Sequence, residues 1–136
     1  MNQEARKLLD KAERALQAAE TLRKAGDAEY AAGRAYYAML HATQALLRQH
    51  GLRYWKHGGV HSAFGEHFIK TGFLDPKFHR WLLDAFDARL RGDYDFDAMF
   101  EEEAVATIVR QTREFLEVAR AFLEKEVEPS APEAAD

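Results

Sequence analysis

Arg34, Tyr37, His41, Gln44 and Arg48 follow one another at steps of three and four residues. On an α-helix such steps place side chains in one line along the surface. Arg34 offers a planar fork that matches phosphate or carboxylate, and His41 gains or loses a proton near neutral pH. A solvated helix face usually carries Lys and Glu, yet neither occurs between Arg34 and Arg48. The pattern points to a face that looks into a groove or a partner. The competing expectation is architectural: Arg34 pairs with an acid of the last helix, and His41 is half-buried with its hydrogen bonds satisfied.

Two further groups carry reactive side chains. In Arg89-Leu90-Arg91-Gly92-Asp93-Tyr94-Asp95, two arginines in a last helical turn favour its negative end, and acids lead onward. The stretch reads either as a charged corner tied by caps and ion pairs, or as a phosphate-contacting rim with Tyr94 stacking or donating a hydrogen bond. The third group is His57, His61 and His67. His57 and His61 would share a metal only on a helix already formed there, and Glu66 alone stands at a matching step. No metal site is expected; histidines beside Lys56 fit a weak anion-binding rim better. Gly58-Gly59 is no phosphate loop, and the serines Ser62 and Ser130 give no Ser–His–acid set. No cofactor is expected.

Helices must position these groups. From Gln3 to Lys24 the residues Ala5, Leu8, Leu9, Ala12, Ala15, Leu16, Ala19 and Leu22 keep the helical period. Ala28 to His50 makes about six turns, with Asp27 as cap and Gly26 and Gly51 as stops. Gly51 to Gly59 is irregular, and Lys56 to Gly59 reads as an exposed loop. Val60, Ala63, Phe64 and Phe68 mark a short helix closed by Thr71-Gly72. Asp75-Pro76 starts the next, with Phe78, Trp81, Leu82, Ala85 and Phe86 inward and Gly92 as its end. A final helix begins near Asp95 or Asp97, with Glu101, Glu102 and Glu103 at its positive end. Val105, Ile108, Val109, Thr112, Phe115, Leu116, Ala119, Phe122 and Leu123 form its apolar stripe. With no convincing strand and no repeat, the fold class is all-α, an antiparallel up-and-down bundle of four main helices plus a short middle helix. It spans residues 1–127, and the tail 128–136 is expected to be disordered.

Composition agrees with one domain of 136 residues, 47% of them hydrophobic. There is no cysteine, hence no disulfide framework or thiolate metal site. The charged N-terminus has no apolar signal core, and no apolar run reaches the ~18 residues of a membrane span. These features lead to the expectation of a soluble, cytoplasmic chain. The net charge of −4 is unevenly distributed: residues 1–91 carry +5 and residues 92–136 carry −9. An anionic ligand should therefore be held by the first part.

Arg34-Ala35-Tyr36-Tyr37-Ala38-Met39-Leu40-His41-Ala42, with Ala45-Leu46-Leu47 and Gly51 after it, resembles the signature helix of HEPN domains. His61, Phe64 and Phe68 resemble the family's middle helix. Arg89-Leu90-Arg91-Gly92-Asp93-Tyr94 resembles the Arg-x-x-x-Asp-Tyr joint of its small single-domain bacterial and archaeal branch. The resemblance runs from about Ala5 to Leu123. It implies a homodimer, commonly encoded beside a minimal nucleotidyltransferase partner in a toxin–antitoxin-like pair. It also implies, for many members, metal-independent RNA cleavage by an Arg-x(4–6)-His motif. Here the histidine positions counted from Arg89 hold Tyr94, Asp95 and Phe96, so that motif is not intact. The nucleotide- or RNA-binding candidates are Arg34, Tyr37, His41, His61, Arg89 and Asp93. The catalytic candidates are Arg89, Arg91, Tyr94 and His41. Three functions follow: a nucleotide- or RNA-binding regulator, a divergent ribonuclease acting at a dimer groove, or a structural adaptor.

Overall fold

The computed structural model describes residues 1–126. The expected tail, and the boundary drawn after Val127, lie outside the described residues. Five α-helices follow in order: α1 (Gln3–Lys24), α2 (Ala28–Gln49), α3 (His57–Phe64), α4 (Pro76–Tyr94) and α5 (Glu102–Lys125). The α3 rod continues through a π-helical turn, Gly65–Ile69. Among the described residues there is no strand, and no helix is long and apolar enough to cross a membrane.

The starts of α1, α2 and α4 are capped by side chains. The Asn2 side chain accepts from the Ala5 amide at 2.8 Å, and Asp27 accepts from the Tyr30 amide at 3.3 Å. Asp75 accepts from the Lys77 amide at 2.8 Å, with Pro76 in the first helical position where no amide proton is needed. Between α1 and α2 the chain reverses at Gly26, whose φ of 88° only glycine adopts at little cost.

Three boundaries differ from the sequence expectation. The segment from His57 to Gly59 is the first turn of α3, because Val60 donates to the Lys56 carbonyl at 3.0 Å. Helix α4 runs through Gly92 to Tyr94. Gly92 serves close packing there, since a Cβ would meet the Glu29 side chain at 3.2 Å. Helix α5 starts only at Glu102. Asp95 instead closes a turn, accepting from the Asp97 amide on its side chain at 3.1 Å and from the Ala98 amide on its carbonyl at 2.9 Å.

Helices α1 and α2 form the most extensive pair. Buried alanines, Ala5, Ala12 and Ala19 on one and Ala31, Ala35, Ala38, Ala42 and Ala45 on the other, permit that close approach. Further along, larger rings fill the space. Phe115 lies 5.7 Å from both Phe64 and Phe78, edge-on to the latter. Helix α5 is tied to α1 by Arg113–Glu20 at 2.6 Å and by Arg120–Glu13. Among the aromatic residues, Tyr36 and Phe78 are buried, whereas Tyr54, Trp55 and Phe73 are exposed.

Candidate functional site

The polar line of α2 meets α4 at Tyr37. The Arg34 guanidinium lies over the Tyr37 ring at 4.8 Å, and the Arg89 guanidinium, arriving from α4, lies over it at 5.2 Å. Two like charges at one ring repel each other, and the ring's negative faces offset part of that cost. Arg89 is further held by Asp93, its Nε lying 3.0 Å from the carboxylate. With Nε engaged, its terminal nitrogens remain for an anion. Among the described residues Arg34 forms no ion pair, so the expected link to an acid of the last helix is absent.

Beneath this cluster, Tyr36 organises α3. Its hydroxyl lies 3.1 Å from Nδ1 of His57 and 2.9 Å from Nε2 of His61. Phe86 packs on all three rings, at 5.3 Å from Tyr36, 5.9 Å from His57 and 4.9 Å from His61. His79 donates from Nε2 to the His61 carbonyl at 3.1 Å. Burial raises the Tyr36 hydroxyl pKa, so the phenol stays protonated. Burial, reinforced by His57 and His79, lowers His61 to about 4. Burial and then the Arg89 charge lower His57.

On the other side of Arg34, between α1 and α2, lies a groove of about 210 Å³ lined by Lys11, Arg14, Ala15, Ala18, Arg34 and His41. It contains three permanent cations and no carboxylate. His41 is lowered by burial; the hydrogen bond that its Nδ1–H donates to the Gln44 side-chain oxygen at 3.2 Å partly opposes this, and Lys11 and Arg34 add to the lowering. The larger groove of about 310 Å³ between α1 and α5 differs in kind. Its arginines, Arg113 and Arg120, are already paired with Glu20 and Glu13. Of these two grooves, the one between α1 and α2 is lined by cations that form no ion pair among the described residues.

The structure thus brings Arg34, Tyr37, Arg89 and Asp93 together, with His41 along the same line of α2. It does not bring in Arg91, Tyr94 or His61. Arg91 turns to the α4–α5 corner, donating to the Met99 carbonyl at 3.1 Å and covering Phe100 at 4.9 Å. Residues two apart on a helix point about 200° from each other, so Arg89 and Arg91 cannot share one face. Tyr94 is 80% exposed and stacks on no described ring. His61 is 6% exposed beneath Tyr36, so a ligand in the groove does not reach it. The sequence reading did not single out Tyr36 as a site residue, and it placed His57 on a loop as part of a weak anion-binding rim, whereas His57 stands in the first turn of α3. The signal available was the four-residue spacing of His57 and His61, which aims both rings at one hydroxyl and not at a metal.

Comparison with known proteins gives the family. The HEPN domain model matches residues 5–124. A UPF0332 protein of Gloeobacter violaceus is 33% identical over 124 residues, covering 90% of this chain and 98% of that protein. A UPF0332 protein of Thermotoga maritima is 36% identical over 80 residues, covering 59% of this chain and only 61% of its relative's length. A Methanocaldococcus jannaschii protein, named there as a proposed toxin, is 31% identical over 121 residues, covering 89% of this chain and 82% of its own. With nearly the whole bundle matched, including both the α2 line and the α4 joint, this chain belongs to the HEPN domain family.

Proposed function

We propose that the chain binds single-stranded RNA along the line from Arg89 through Tyr37 and Arg34 to the α1–α2 groove. In this reading it acts as the HEPN component of a toxin–antitoxin-like pair whose other member is a minimal nucleotidyltransferase. The carrying observation is the pair of guanidiniums on Tyr37 beside a groove of three cations without an acid. Arginine forks suit phosphate oxygens, and the Tyr37 ring holds the two guanidiniums beside the groove. A free nucleotide presents the same groups but would occupy one end of this line, whereas a strand uses its length. The toxin-related name of the Methanocaldococcus jannaschii relative supports the toxin-like role.

Titrating a labelled single-stranded RNA of about ten nucleotides over a range of salt concentrations tests the reading. The double variant Lys11→Gln, Arg14→Gln should reduce the slope of log affinity against log salt by about 1.4, from ~0.7 per phosphate contact. An unchanged slope would remove the groove from the binding path. Tight ATP binding without RNA binding would favour the single-nucleotide reading.

The working form is a homodimer in this proposal. The exposed side chains Tyr30, Tyr94, Phe96 and Met99 supply apolar surface for a second copy. Gly92 against Glu29 brings the end of α4 beside the start of α2, where Tyr30 stands. Light scattering at micromolar concentration should give twice the chain mass; a monomer would reject this part.

A further inference from the structure

Along the α2 line the ring of Tyr37 is already taken by Arg34 and Arg89, so that end offers cations for phosphates and no open ring for a base. An open ring stands at the other end. Arg48, the last member of the line, lies about 21 Å along α2 from Arg34 at 1.5 Å per residue. Helices α1 and α2 run antiparallel, so Glu4 reaches Arg48 while Lys11 lines the groove with His41, and the groove leads toward this end. There the Arg48 guanidinium lies over the Trp55 indole at 4.9 Å. Arg48 is itself anchored: its Nη1 donates to Glu4 at 2.6 Å, its carbonyl accepts from the Asn2 side chain at 3.2 Å, and its side chain is 13% exposed. A fixed cation thus holds the indole on one side. At 74% exposure the remainder of the ring is open, and it adds little to the core.

The charge around this ring is positive. Arg53 lies 2.9 Å from the Glu4 carboxylate that also holds Arg48, so two guanidiniums share one acid. Lys56, beside Trp55 in the chain, is exposed and forms no ion pair among the described residues. An open aromatic face among cations suits an unpaired nucleotide, which brings a base for the ring and phosphates for the charges. Continuity with the cationic groove favours that occupant over a segment of a partner protein.

We propose that Trp55 is a base-stacking platform at the far end of this path, and that it makes the site select unpaired bases over a duplex. The assignment rests on the RNA-binding reading above. A base inside a duplex has both faces covered by its neighbours, whereas a base in a single strand turns out and stacks on an exposed ring. Arg53 and Lys56 take the flanking phosphates. Stacking carries no charge, so the contribution of Trp55 persists at salt concentrations that weaken the groove cations. The distance from Arg34 to Arg48 corresponds to about six stacked nucleotides at ~3.4 Å each, so a strand must exceed that length to engage both ends.

The experiment titrates three probes: a single-stranded RNA of about ten nucleotides, the same strand in a duplex, and a base-free polyphosphate. The native protein should bind the single strand about tenfold more tightly than the duplex. Trp55→Ala should lose about tenfold for the single strand, with an unchanged salt slope, and should bind duplex and polyphosphate as the native protein does. Trp55→Phe should recover part of the loss. Trp55 and Trp81 are the two tryptophans of the chain, so in Trp81→Phe the indole emission reports on Trp55 alone. Saturating RNA should quench that emission, and polyphosphate should not. Unchanged single-strand affinity in Trp55→Ala, an equal loss for polyphosphate, or an unquenched indole in the saturated complex overturns the assignment while the binding reading stands, and leaves the ring to a protein partner. Absence of RNA binding by the native protein overturns the binding reading itself, and this assignment with it.

Discussion

Phe115→Ala will lower the free energy of unfolding by about 3–5 kcal/mol. Phe115 is 2% exposed and lies where α5 meets α3 and α4, with Phe64 and Phe78 each 5.7 Å away. Removing its ring deletes transfer free energy, leaves a cavity between three helices and breaks two aromatic contacts at once. The surrounding rings are large and sit on different helices, so the gap cannot close by moving one side chain. A domain of this size is stable by roughly 5–15 kcal/mol, so the variant should unfold at far lower denaturant with little change in slope. Leu83→Ala, at a position 37% exposed, is the control and should stay within about 0.5 kcal/mol. A loss below about 1.5 kcal/mol at Phe115 would show that this junction is not the core of the bundle.

Acidification from pH 7.5 to 4.5 will cost about 2.5 kcal/mol through His61 alone, from 1.36 kcal/mol per unit of pKa difference. Its folded-state pKa is depressed from 6.5 to about 4. Between those values the unfolded chain binds a proton that the folded chain refuses. Stability is therefore full above pH 6.5 and declines progressively as pH falls toward 4. His57 and His41, also lowered, act in the same direction. Thermal unfolding across this range checks the sign. His61→Gln should flatten the decline even if it lowers stability at neutral pH. An undiminished slope in that variant would assign the acid sensitivity to other groups.

The helical elements were legible because each is encoded locally. Periodic apolar residues, Asn2, Asp27 and Asp75 at the starts, and Pro76 in a first turn act within a few residues of where they stand. The misplaced starts of α3 and α5 have the same explanation in reverse. Two glycines after His57 imitate a loop, and Asp95 imitates a helix cap while closing a turn. The family, too, was legible, since its signature lies along one helix and one joint.

The site was legible only as a set of lines. By itself, the sequence determined that Arg34, Tyr37 and His41 share one face of α2, and that Arg89 and Arg91 cannot share one face of α4, because helical geometry fixes both. Tertiary packing decided that Arg89 meets Tyr37 while Arg91 turns to Phe100. It also decided that the Tyr36 hydroxyl finds its partners 21 and 25 residues further along the chain. A hydroxyl on an apolar stripe is ambiguous until a second helix comes to rest on it, because a ring buries equally well with or without a partner. What α3 places there is a pair of imidazoles, and no local rule encodes that meeting.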